Sequence, residues 1–576
     1  MKNSLSLTLF FFSLFLAGQP GGGQEQEKDL GQLELSVTEA FQAEVMKSGK
    51  LNPLPNYEDT IQTKLTPQYR IESQPLPISF SPEPISPARI ARVEVEPLYQ
   101  GLVELGYGLY NSPVLEAHYA SGRSGKRSYG FTGSHFSTQD GVPGLIYDKN
   151  IVARNSLGGF YKHFYRKLTL HTDVQGSWNR YNYYGIPAPD NFPEQADTLE
   201  PPYNWYRRYA AQVSLTESSQ RYLGWLSRLD ARYHFMDDRY GSQENNAQLQ
   251  SSWRIPADDR PLFLEANVAW FGNKHDSLYT GADSTMIYDQ QTFQAQLNPH
   301  FTLYSSGFRF DFGLDLYLIQ QQDSRPGEEA LQAYFFPEIE ASYPLVPNVL
   351  TAQGGITGQV QRNTYHQLIQ QNPFFTPGMD HLPSRTLRAY LGLEGKLGPQ
   401  SNFSLEGGFK QTRDQALAYR SPTFFSDSVW YGLQARYATV RSWYASGEIS
   451  THVRDKLQID LNARLQSLET EGNQPAWHLP WFTSRLAARY SLAQKINIAT
   501  QLQYIGPRQA FRAPLNPQLN AMLEGYLQLN LEVDYQYNER ISAFLRFRNL
   551  LNQDYQLYLG YPAQQLFFQM GFGYRF

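Results

Sequence analysis

The sequence predicts an all-β fold: a transmembrane antiparallel β-barrel of about 22 strands, within a range of about 20–24, behind a short extended N-terminal periplasmic segment. Three observations carry this expectation. Apolar and polar residues alternate with a period of two along most of the chain after residue 97. Mean hydropathy is low, at −0.51, although 15% of the residues are aromatic. The links between strand-like runs are by turns short and long.

The alternation is sharpest at the end of the chain. Phe568, Met570, Phe572, Tyr574 and Phe576 occupy the even positions, with Gln569, Gly571, Gly573 and Arg575 between them. A period of two places one set on each face of a strand. The same pattern interleaves Phe308, Phe310, Phe312, Leu314 and Leu316 with Arg309, Asp311, Gly313 and Asp315. It recurs where Leu457, Ile459, Leu461 and Leu465 interleave with Gln458, Asp460, Asn462 and Arg464. Charges at every second position would be ruinous against a dry core, because each would be buried without water or a partner. Facing a wet lumen they cost little. Arg309, Asp311, Asp315, Gln458, Asp460 and Arg464 are therefore candidate lumen-facing residues, and the apolar set faces lipid.

Composition agrees. An oily exterior around a polar interior reconciles the low mean hydropathy with 40 Tyr, 35 Phe and 9 Trp. The net charge of −5 over 576 residues argues against a nucleic-acid partner, which would demand clustered Lys and Arg. There is no cysteine, which excludes disulfides, thiolate metal sites and a lipid-anchored N-terminal Cys.

Three regions follow along the chain. Residues 1–23 read as a secretory signal peptide, with Lys2 ahead of an apolar run from Leu5 to Ala17 that is too short for a span of about 20 residues. Residues 24–97 are acidic at the start and proline-dense toward the end, at Pro75, Pro77, Pro82, Pro84 and Pro87, which favours an extended periplasmic segment. Residues 98–576 form the barrel. Its short links include Tyr304–Gly307, Val346–Asn348, Gly398–Gln400 and Tyr537–Arg540; the longer ones include Tyr181–Asn204, Asn363–Pro383 and Gly506–Leu523. Short periplasmic turns and long outer loops are the asymmetry expected of such barrels. This alternation of link lengths is lost between about Gly398 and Lys495.

The stretch Arg546-Phe547-Arg548-Asn549-Leu550-Leu551-Asn552-Gln553-Asp554-Tyr555, followed by Gly560-Tyr561-Pro562 and the aromatic closing strand, resembles the C-terminal end of TonB-dependent receptors. In that family an Asn-Leu-Phe-Asn-x-x-Tyr motif sits at the top of the penultimate strand; here Leu551 stands where Phe is usual. The resemblance implies an outer-membrane location in a Gram-negative-type bacterium, contact with outer-membrane lipid, and recognition of the terminal aromatic strand by the barrel-assembly machinery. It covers the barrel alone, since residues 24–97 are too few for the family's globular plug. A barrel of about 22 strands is wide enough to need filling. The N-terminal segment, infolded outer loops or another protein chain would have to close it.

No spacing of histidines suits zinc, and no calcium loop, phosphate loop or nucleophile elbow occurs, so neither cofactor nor catalysis is expected. The aromatic cluster Trp178, Tyr181, Tyr183, Tyr184 and Trp205 has two readings. It either belongs to the interfacial belt that barrels carry or contacts a ligand in an outer loop. Two functions remain open: a transport-related channel or receptor component for an unidentified solute, and a non-transporting platform that binds other outer-membrane or periplasmic proteins.

Overall fold

The computed structural model describes residues 99–576 apart from 144–149, 186–201, 219–224, 257–260, 280–284, 324–329, 426–427, 455, 473, 494 and 512–520. The expected signal peptide and N-terminal segment lie outside the described residues. What is described is one closed sheet of 22 antiparallel strands. Closure is made by the first strand, Gly101–Gly108, which pairs with the last, Phe567–Arg575, from Leu102 opposite Arg575 to Gly108 opposite Gln569. The backbone of Phe576 completes the seam, its carbonyl accepting from the Gly101 amide at 2.9 Å. No described helix is long and apolar enough to cross a membrane.

The strand pattern follows from the period of two. In Phe567–Arg575 the even residues are the exposed ones, Phe572 at 70%, while Phe567, Gln569, Gly571 and Gly573 face the other way. Glycine is required at Gly571, where a Cβ would sit 2.2 Å from the Leu105 carbonyl oxygen and against the Phe544 ring. Along Phe308–Asp323, Leu314, Leu316 and Leu318 are exposed, whereas Asp315 and Tyr317 between them are buried.

An even strand number puts both ends of the barrel chain at one rim, here called the terminal rim. Tight turns gather there. Ser306 and Gly307 both take positive φ, 51° and 84°, which is the turn whose twist matches the flanking strands. The opposite, far rim carries the longest links, such as 362–383, together with short ones at 109–113 and 239–242 and, as the exception, one shorter still. Strands Ser401–Phe425 and Ser428–Val453, of 25 and 26 residues, meet there across residues 426–427 alone. This is why the alternation of short and long links fails in this part of the sequence. Both strands are far longer than the roughly 9–11 residues that cross a bilayer, so the hairpin stands well above the rim. A bulge interrupts it between Thr412 and Gln415, with Asp414 at φ 54°. The extra residue bends the strand and shifts that strand's own parity, so that the partner face carrying Ala438 and Val440 is met by Thr412 below the bulge and by Leu417 and Tyr419 above it. Leu433 and Ala435 lie on the other face with Ala416 and Ala418.

Candidate functional site

The site is the closure at the far rim, and it is built from residue 363 upward. Residues 362–383 join the strands Leu350–Gln361 and Ser384–Gly398 and contain the only helix among the described residues, α1, Tyr365–Gln371. Thr364 starts it. Its hydroxyl accepts from the Gln367 amide while the Gln367 side chain accepts from the Thr364 amide, a reciprocal capping box that satisfies two donors a helix start leaves open. The sequence Thr364-Tyr365-His366-Gln367 just ahead of Leu368-Ile369 carries this signature, and the pattern reading overlooked it.

Tyr365, Leu368 and Ile369 of α1 are buried together with Phe374, Phe375 and Met379. Their neighbours come from opposite sides of the ring. Tyr181, Tyr183, Tyr184 and Tyr206 belong to the strands Leu168–Asn182 and Tyr203–Glu217 and the loop between them; Leu433 belongs to Ser428–Val453; Tyr561 comes from the loop before the last strand. Side chains from strands so far apart can share one core only if the segment that joins them crosses the barrel. Backbone pairing holds the crossing in place: the Thr376 amide donates to the Leu433 carbonyl at 2.9 Å, and the Leu433 amide donates to the Phe374 carbonyl at 3.1 Å. The Phe374 and Tyr561 rings stack at 4.3 Å, and the Tyr184 ring meets Phe374 edge-on at 5.0 Å.

Polar groups at the margin of this core are paired across the same gap. Tyr365 donates to the Asp238 carboxylate at 3.0 Å, which also accepts from the Asn204 side chain and the backbone amides of Tyr240 and Ser242. Glu244 is fully buried and accepts from the His366 amide at 2.9 Å, with the His234 ring also 2.9 Å away. Tyr206 donates to the Pro373 carbonyl and Tyr184 to the Pro562 carbonyl, both at 2.9 Å. The His381 amide donates to Gln290, whose side-chain amide donates back to the His381 carbonyl, while Asn273 lies 2.7 Å from the His381 ring. Burying two carboxylates is tolerable only with several donors each, and here the closure supplies donors to both.

The loop histidines respond to the same burial. Removal from water pushes His366 down to about 3; the Arg208 guanidinium adds to this and the Glu244 carboxylate opposes it. Burial likewise lowers His381, and it lowers His478, in the loop at 471–481, to about 3. Burial holds the Tyr365 hydroxyl protonated, so it remains a donor to Asp238.

The sequence candidates fall in three places. Trp178 and Trp205 lie on the outer face, Trp178 donating to the Tyr209 hydroxyl at 3.2 Å and the Arg207 guanidinium lying 4.2 Å from the Trp205 ring. Tyr181, Tyr183 and Tyr184 are instead buried inside the closure, at 9%, 1% and 2% exposure, so neither a lipid belt nor an open ligand rim describes them. What looked like one aromatic cluster is divided between two faces: Tyr181 faces in by the alternation of its strand, and Tyr183 and Tyr184 follow where the chain leaves the strand after Asn182. Arg309 pairs with Asp311 at 3.0 Å, and Asp315 accepts from the Gln296 amide at 2.9 Å. Asp460 accepts from Ser450 and Gln458, and Arg464 donates to Gln466 at 3.4 Å. All six lie opposite the exposed apolar set of their strands and away from the closure. Phe568, Met570, Phe572 and Tyr574 lie in the closing strand, with Phe576 at its end. Among the described residues no group of three His, Cys, Asp or Glu is placed to hold a metal ion.

The family-like motif also has its place here. Asn549 and Asn552 take positive φ at 46° and 48° directly after the penultimate barrel strand, Ile541–Arg548. Their side chains accept from the Gln553 and Leu566 amides. Tyr555 stacks flat on Tyr526 at 3.7 Å. The motif is thus a loop anchor that returns the chain over the rim.

A closed 22-stranded barrel with an apolar exterior and its long loops at one rim is a TonB-dependent-receptor-like outer-membrane fold. Solved structures similar to it include the ferric-catecholate import receptor Fiu from E. coli K12 in its closed form, with TM-score 0.62 and 11% identity over 83% of this chain and 82% of that one. The FrpB iron transporter of Neisseria meningitidis matches with TM-score 0.63 and 11% identity over 84% and 82%. The copper transporter OprC matches with TM-score 0.59 and 13% identity over 83% and 80%. Identities this low establish the fold alone. No protein-family model matches the chain, and no curated protein matches it in sequence.

Proposed function

We propose that this protein is a transport-related channel or receptor component of a Gram-negative-type outer membrane, not an enzyme, whose lumen is closed at the outer rim by its own loop at 362–383. The observation that supports it best is the crossing of the ring by Tyr365–Met379, joined to strands on opposite sides. A barrel of this width without a filler would breach the membrane, and a closure made of a loop, unlike one made of wall, has a route to opening. The structural neighbours named as import receptors and transporters favour transport of a solute. On this reading the terminal rim and the N-terminal segment are periplasmic, where a periplasmic protein partner would meet them.

A second reading, a platform for other outer-membrane or periplasmic proteins, is favoured by how fully the closure satisfies its buried carboxylates. Planar-bilayer conductance separates the two. The full-length protein and a variant with 365–380 replaced by a short Gly-Ser link are compared. Transport predicts rare openings in the first and a steady large conductance in the second. If the full-length protein never opens under any voltage or pH while the variant conducts, the platform reading stands; if the variant also stays shut, the closure at 362–383 is not what seals the barrel.

A further inference from the structure

Toward the terminal rim from the closure, the inner wall carries a patch of positive charge that the wall does not neutralise. The strand register defines it as three rows. In the row nearest the closure, Arg388 stands directly opposite Lys410, and Lys410 opposite Ser442. One row further are Tyr390, Gly408 and Tyr444. In the next, Gly392, Glu406, Ser446 and Arg464 lie side by side. Gly408, in the row of the two tyrosines, packs against Tyr390, where a Cβ would lie 3.0 Å from the Tyr390 Cβ, so that row is the middle of the patch. Arg388 and Lys410 flank it on one side and Arg464 on the other.

Three cations surround this row with two carboxylates, and both are already engaged: Glu340 accepts from the Tyr390 hydroxyl at 2.8 Å. Glu406 takes Arg388 at 3.3 Å and the Tyr444 hydroxyl at 2.6 Å. Lys410 has no hydrogen bond or ion pair among the described residues, and Arg464 has only the long bond to Gln466. Like charges placed directly opposite on one sheet face are destabilising, so a wall built for stability alone would not set Arg388 against Lys410. Elsewhere the same barrel neutralises an inward arginine generously: Arg546 has Glu532 at 2.9 Å, Glu104 at 3.4 Å and Glu116 at 3.7 Å.

The two guanidiniums are also held in position. Arg388 lies 4.1 Å from the Tyr390 ring centre and Arg464 lies 4.2 Å from that of Tyr444. Packing on a ring fixes the plane of a guanidinium and leaves its N–H edges free for an acceptor. We propose that this patch binds a small multivalent oxyanion, a phosphate-bearing or polycarboxylate solute, with Lys410 as a point charge and Arg388 and Arg464 as oriented donors. A concave wall with an excess of positive charge concentrates such an ion locally. As the solute class of the transport reading this rests on that reading; as a binding site it stands on the wall alone.

Isothermal titration of the full-length protein with inorganic pyrophosphate, with citrate as the second probe, tests it. One saturable site is expected, weakened at least about ten-fold in Lys410→Met and in Arg464→Gln. Lys410→Arg should retain it, and Arg309→Gln, which removes an inward cation elsewhere, should leave it unchanged. Heat-modifiable gel migration confirms that each variant has closed its barrel, and Lys410→Arg carries the test if Lys410→Met does not close. Absence of a saturable site in the parent protein overturns the proposal. So does equal weakening in Arg309→Gln, which would mean general charge attraction. A barrel that binds pyrophosphate yet never conducts refutes transport and leaves the site standing.

Discussion

In the strand Ser384–Gly398, Leu391 is 76% exposed and its neighbours along the same face point outward with it, so each side chain's surroundings follow from its parity. In α1, on the loop that leads into this strand, Tyr365 is buried against Tyr206 from a distant strand and bonded to Asp238 from another. The wall repeats one local rule, and its hydrogen bonds run between neighbours in sequence order. The closure has no repeat; it is a small soluble-type core assembled from six or so separate pieces of chain. The contrast teaches where stability and where change reside. A closed ladder opens only as a whole, while a loop core can come apart with the barrel intact.

The largest effect that would break this contrast is expected at Tyr365. Tyr365→Ala leaves a cavity and removes a donor from a buried carboxylate, which costs about 3–5 kcal/mol. The loss should fall on the closure alone: hydrogen exchange across 363–383 accelerates and conductance rises, while heat-modifiable migration keeps the barrel form. Unfolding of the barrel itself by this variant would mean that wall and closure are one cooperative unit.

Leu391→Arg asks the converse. A cation on the lipid face near mid-strand costs about 2–4 kcal/mol, read as a lower denaturant midpoint for the whole barrel. Exchange rates in α1 should stay as they were until the barrel itself unfolds. The two variants together separate the regions.

Acidification should loosen the closure and not the wall. His366 sits near 3 when closed and rises toward its ordinary 6.5 when exposed, and His381 is lowered in the same direction. Below 6.5 the open form therefore binds protons that the closed form excludes. Closure stability is complete above 6.5 and is lost progressively as pH falls toward 3, by about 2 kcal/mol at pH 5 for a group shifted as far as His366. The groups facing His366 are Glu244, His234 and Arg208; Glu244, Asp380 and the Asn363 carbonyl face His381. Opening frequency in bilayers should rise between pH 7.5 and 5, and His366→Gln should flatten the rise. A pH-independent opening rate in the parent would remove these histidines from the account.

The smallest effect is at the helix start. Thr364→Ala deletes the capping box and should cost about 1 kcal/mol, visible as modestly faster exchange in 365–371 with no change in conductance at neutral pH.

The wall was legible from sequence because its rule is local. A strand shows its two faces through residues i and i+2, and the closing stretch Phe568–Phe576 or the run Phe308–Leu318 displays that without reference to any other part of the chain. Strand number, closure and the separation of tight turns from long loops followed from it. The exception at 426–427 and the bulge at Asp414 broke the count, since an inserted residue shifts the parity with no compositional mark.

The closure was legible only as a need. A ring of this width called for a filler, and infolded loops were one of three candidates. That Tyr183 and Tyr184 turn inward while Trp178 and Trp205 stay outside could not be read from a single aromatic cluster, because their partners, Phe374 and Tyr561, lie nearly two hundred and nearly four hundred residues away. Likewise Arg388, Lys410 and Arg464 are ordinary inward charges one strand at a time. Alternation along the chain determined by itself that this protein is a barrel. What fills the barrel, and which inward charges face one another, were decided by tertiary structure, because both depend on contacts between residues whose separation in sequence carries no periodic signal.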